Sequence, residues 1–72
     1  MNEKRKLINY TVACVNEFAR ENNISVKEAF QYLFSYDGIE FIKENYDIEH
    51  TLSFETVVED LSVLCRRNGG NL

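Results

Sequence analysis

The sequence predicts an all-α fold, a compact bundle of four helices. Three observations carry this expectation. Proline is absent and glycine occurs only at Gly38, Gly69 and Gly70, so long stretches contain no helix breaker. Apolar residues recur at helical spacing, and β-branched residues never alternate with period two. Clusters of Asn, Asp and Ser between those stretches supply helix ends.

The first helix is expected from about Glu3 to Glu21. At about 100° per residue, Leu7, Ile8, Thr11, Cys14, Val15, Phe18 and Ala19 form one apolar band. Tyr10 and Val12 widen it beyond the usual stripe, which suits a central helix touching neighbours on two sides. Asn22-Asn23 ends it, because Asn tolerates left-handed backbone.

Ser25-Val-Lys-Glu28 is a capping box, and Ile24 before it can staple to Ala29. The second helix, about Val26 to Tyr36, would present Val26, Ala29, Phe30, Leu33 and Phe34 on one face, with Tyr32 and Tyr36 at its edge. Asp37-Gly38 stops it. A short third helix, about Ile39 to Tyr46, has Ile39, Ile42 and Tyr46 on a shared face. Phe41 points away from that face, so it is either wedged between helices or exposed. Asp47 to Leu52 reads as a connector. Ser53 is the next N-cap, with Glu55 well placed in the first turn. The fourth helix, about Phe54 to Arg67, gathers Phe54, Val57, Val58, Leu61, Leu64 and Cys65 on one band. Arg66 and Arg67 suit its C-terminus, and Asn68-Gly69-Gly70 ends it. The expected packing sets the first and last helices together with the shorter pair across them.

With 72 residues, there is room for one domain, residues 1–72. A chain this short buries roughly 60% of its unfolded surface. Cys14 and Cys65 could form at most one bridge, and no Cys/His cluster is spaced to hold zinc. Stability is left to helix packing or to a partner. Lys4-Arg5-Lys6 leads into a polar-interrupted stretch, not a signal peptide, and no apolar run approaches the roughly 20 residues that span a bilayer. The expectation is a cytoplasmic protein with reduced thiols.

Net charge is −4 and unevenly spread. Residues 1–20 carry four bases against two acids, residues 21–60 carry two lysines against ten acids, and Arg66 and Arg67 follow. An acidic middle repels phosphate, the reverse of a nucleic-acid footprint. Residues 25–46 invite a helix-turn-helix reading, yet the would-be reader helix bears Glu40 and Glu44 against Lys43 alone. Lys4-Arg5-Lys6 could touch phosphate or an acidic partner, but such a trio is more often a solvated first turn.

His50 is the only histidine. It could be a general base oriented by Glu49, but no nucleophile or second catalytic group sits nearby in sequence. The plainer reading is a connector residue that bonds the end of the third helix or the start of the fourth. Cys14 and Cys65 lie on apolar faces and read as inert core thiols. No catalytic, cofactor-binding or metal residue is assigned, and no enzyme is expected. Four Tyr and five Phe are the remaining signal. Tyr10, Tyr32, Tyr36 and Phe41 fall at the margins of the bands, where aromatic residues either anchor interfaces or enlarge a small core.

Tyr46-Asp-Ile-Glu-His50-Thr51, joined to Phe54-x-x-Val57-Val-Glu-Asp60-Leu61, resembles the small bacterial family known as domain of unknown function 3791. Tyr10 to Phe18, Ser25 to Tyr36 and Gly38 match its remaining pieces, so the resemblance covers nearly the whole chain apart from the Asn68–Leu72 tail. The family has no established activity. The resemblance implies a gene neighbourhood shared with an ADP-ribosyltransferase-like domain, and hence an antitoxin-like or accessory role.

The expected function is therefore protein–protein interaction, with an acidic middle suited to a basic partner groove. The candidate partner-binding residues are Tyr32, Tyr36, Phe41, Tyr46 and His50. The partner is another protein, with self-association left open, and neither nucleic acid nor membrane is expected. The alternatives are a DNA-binding transcriptional regulator and, behind it, an enzyme using His50.

Overall fold

The computed structural model describes residues 3–72 as five helices with no strand among them: α1 (Glu3–Asn22), α2 (Val26–Ser35), α3 (Gly38–Glu44), α4 (Tyr46–Glu49) and α5 (Phe54–Arg67). Its radius of gyration, 11.3 Å, is that of a compact chain of this length, about 11 Å. α1 is central, as its wide apolar band predicts, and packs on α2, α3 and α5. No described helix is long and apolar enough to cross a membrane.

α1 buries Cys14, Val15, Phe18 and Ala19. It ends at Asn23, whose φ of 53° is left-handed as expected. There the Ile24 N–H reaches back to the Ala19 carbonyl at 3.0 Å and the Asn23 N–H to Arg20 at 3.3 Å. These are the two bonds that close a helix whose C-terminal residue turns left-handed. The N-terminal half departs from expectation, because Ile8 and Val12 stay exposed. The band is wider than its neighbours can cover.

α2 begins at the expected capping box. The Glu28 N–H donates to Ser25 Oγ at 3.1 Å, and the Ser25 N–H donates to Glu28 Oε1 at 3.0 Å. The bonds from Ser25 hold the exposed Glu28 carboxyl below its ordinary pKa. The face of α2 needs correction. Ala29 and Leu33 are buried as expected, but Val26, Phe30 and Phe34 are exposed. Tyr32 and Tyr36 are half-buried at the edge, as expected, and it is they that pack against the core. The buried Ala29–Leu33 line divides the two sets, and the helix turns its tyrosine side inward. That side finds a ring partner, since Tyr32 stacks on Phe18 with centroids 5.7 Å apart. It also finds polar partners: the Leu72 N–H donates to Tyr32 Oη at 2.9 Å, and Asn68 Nδ2 donates to the Tyr36 carbonyl at 2.9 Å. Apolarity alone ranks Phe above Tyr. A ring with a satisfied hydroxyl at the edge of the core is the better fit here.

At Asp37-Gly38 the left-handed residue is Asp37, with φ 67°. Gly38 is needed for space, because a Cβ there would stand 2.8 Å from Leu33 Cδ2. The single third helix expected to Tyr46 is two. The Asn45 backbone N–H and its side-chain Nδ2 both donate to the Phe41 carbonyl, at 2.9 and 3.0 Å, closing α3 at Glu44. The chain then makes the extra turn α4, whose Glu49 N–H donates to the Asn45 carbonyl at 2.8 Å. Tyr46 therefore opens a helix that the sequence reads as part connector. Phe41 is half-buried on α3, packed against the core on the side that faces α5.

α5 starts at Ser53, whose Oγ accepts the Thr56 N–H at 3.2 Å, and buries Val57, Val58, Leu61 and Cys65. Of the expected band, Phe54 stays exposed and Leu64 is half-buried, both lying at its margins. At the C-terminus Gly69 has φ 107°. The Gly70 N–H bonds the Cys65 carbonyl at 2.8 Å and the Gly69 N–H bonds Arg66 at 3.1 Å, the same closure as at α1.

Candidate functional site

The five residues expected to bind a partner lie at three places. Tyr32 and Tyr36, 5.0 Å apart, hold the C-terminal tail. Phe41 lies against α5. Tyr46 and His50 lie on and just after α4, where their rings stack at 4.5 Å with 10° between planes.

His50 Nδ1 lies 2.6 Å from the Tyr46 carbonyl. A carbonyl only accepts, so Nδ1 carries the proton. Bonded and stacked one turn back, the exposed imidazole closes α4. The Glu49 carboxylate that would orient it points elsewhere. Glu49 is 6% exposed, and its carboxyl neighbours Asp60 on α5.

Around Glu49 the structure gathers a buried polar cluster that the sequence does not announce. Burial, then the neighbouring Asp60 carboxyl, pushes the Glu49 carboxyl up to about 7. Two carboxyls side by side share a proton most readily, since both ionised would repel in a poorly hydrated place. Tyr10 Oη and Glu49 Oε1 are buried with no hydrogen-bond partner among the described residues. The Tyr10 ring meets Tyr46 edge-on at 5.3 Å and stacks on Phe54 at 6.1 Å. Burial, with Cys14 and Glu49 beside it, raises the Tyr10 phenol above its ordinary range. Burial also lifts the thiols of Cys14 and Cys65 to about 11. Both stay protonated at neutral pH and unreactive, as their apolar faces predict.

The larger opening lies elsewhere, along α1 and α2. Ile8, Val12, Val26 and Phe30 stand exposed there, and Phe34, 68% exposed, stacks on Phe30 at 6.1 Å. Two adjoining cavities of about 480 and 500 Å³ run along this face and share Thr11, Val12 and Phe30. The surplus width of the α1 band was the signal for it. Assigning the phenylalanines of α2 to the core hid it.

A family model described as a protein of unknown function, DUF3791, matches residues 9–68. The chain belongs to the DUF3791 family. No curated protein and no solved structure matches it. The part shared with the DUF3791 model includes Tyr10, the capping box, Glu49, His50 and all of α5. Of the exposed apolar residues on α1 and α2, only Ile8 falls outside it.

Proposed function

We propose that this DUF3791 chain works by contact with another protein. It is a small interaction module, antitoxin-like or accessory, for a neighbouring ADP-ribosyltransferase-like protein. One observation supports the reading above others. Five large apolar side chains, Ile8, Val12, Val26, Phe30 and Phe34, are exposed on α1 and α2. Soluble monomers seldom leave large apolar patches open, and such patches mark contact surfaces. The Tyr46–His50 stack and the His50 hydrogen bond support a structural part for the histidine. The reading puts the chain in the cytoplasm, where its two buried thiols stay reduced.

The test is co-expression with the product of the adjacent gene, tagged on either chain. A complex that survives size exclusion at micromolar concentration is expected. Two products that elute separately at every ratio would contradict the reading.

A further inference from the structure

The two cavities along α1 and α2 join into one groove, and α3 reaches it through Ile39 and Lys43. Leu7, Val12, Val15, Val26 and Phe30 make its walls apolar. Its charges are of one sign. Among the described residues, Lys4, Lys27 and Lys43 line it and no carboxylate does. These are three of the four lysines in a chain of net charge −4. Six of the twelve acids line other openings: Asp37, Glu40 and Glu44 beside Phe41, and Glu21, Glu55 and Glu59 between α1 and α5.

We propose that this groove docks an amphipathic helix of a partner protein, one whose apolar ridge is flanked by carboxylates. The inference rests on the interaction reading and names its surface and its partner's chemistry. Along α1 the groove extends from Lys4 to Val15, about 16 Å, or three helical turns. That suits apolar anchors at i, i+3 or i+4, and i+7. Its lysines would meet flanking carboxylates at the rim, where charge sets orientation and selects the partner. A second copy seated face to face would bring lysines against lysines, since a two-fold contact pairs a surface with itself. A duplex would use the lysines and leave the apolar walls uncovered. A membrane surface calls for a convex apolar face rather than a concave one.

The test uses the full chain, isotopically labelled, with two synthetic helical peptides. Both carry the same leucine ridge, flanked by Glu in one and by Lys in the other. The Glu peptide is expected to shift amides of residues 4–15 and 26–31 and to bind about tenfold or more tighter at low salt. The preference should shrink at high salt and reverse in the triple variant K4E/K27E/K43E. Phe30→Ser should weaken the Glu peptide about tenfold without changing the melting temperature, and Val12→Ser is the second variant. No shifts at millimolar Glu peptide, shifts confined to α3–α5, or equal affinity for both peptides would overturn the proposal. So would tighter binding to anionic vesicles or duplex DNA, a dimer using these amides, or unfolding of both serine variants.

The two readings fail separately. If the adjacent gene's product binds wild type and Phe30→Ser equally, the groove is wrong and the interaction stands. If the Glu peptide binds as expected and that product does not, the groove stands and that partner is wrong.

Discussion

Phe30 and Phe34 stack on each other across one turn of α2, 6.1 Å apart with 14° between their planes, and both are open to solvent. Leu33, between them in sequence, is sealed in the core. The contrast separates side chains that hold the fold from side chains free for another task.

Leu61→Ala and Leu33→Ala should each cost about 2–5 kcal/mol, because both residues are fully buried and their loss leaves a cavity. Phe34→Ala should cost less than about 1 kcal/mol, since it removes one exposed ring contact. Denaturant melts of the three variants check this. A Phe34 loss as large as that of Leu33 would mean that α2 faces the core differently.

The four longer helices and most of their ends were legible because short-range chemistry writes them. Asn23, the Ser25–Glu28 box, Ser53 and Gly69 each satisfy backbone groups within a turn, and each acts as its residue type predicts. The rotation of α2 was not legible, because it depends on residues far along the chain. Tyr32 and Tyr36 turn inward to meet Phe18, Asn68 and Leu72. α4 was missed because the Asn45 side chain closes α3 and Asn in a polar stretch reads as a break, whereas its backbone carbonyl goes on to accept the Glu49 N–H of the next turn. Glu49 looked like one more acid of a solvated connector. Only the extra turn carries it inward against Asp60.

Glu49 gives the chain a pH dependence with a definite sign. Its carboxyl is raised to about 7 in the folded chain, against about 4.3 when unfolded. Between those values the folded state holds more protons, so stability is full below about pH 4 and falls as pH rises toward 7. The loss is on the order of 3–4 kcal/mol. Asp60 on α5, with Tyr10 and Cys14 on α1, are the titratable groups that interact with it. Glu49→Gln should flatten this slope and leave the protein more stable than wild type at pH 8 by about 1–3 kcal/mol. Denaturant melts at several pH values read both effects, and an unchanged slope would count against the buried proton.

His50→Ala should lower stability by about 1 kcal/mol or less, because it removes one exposed hydrogen bond and a stacked ring while water can reach the Tyr46 carbonyl. Thermal melts check the size. His50→Asn, which can still donate to that carbonyl, should recover part of the loss. A loss of several kcal/mol in the Ala variant would make the histidine a core element instead of a helix closure.

The most direct measurement of the central claim is a calorimetric titration of the adjacent gene's product into wild type and into a Val12→Ser, Phe34→Ser double variant. Both substituted positions are exposed, so the melting temperature should fall by no more than a few degrees. The account predicts that wild type binds and that the double variant binds about tenfold more weakly or worse. Equal affinity for the two chains, or no heat of binding with either, would contradict it.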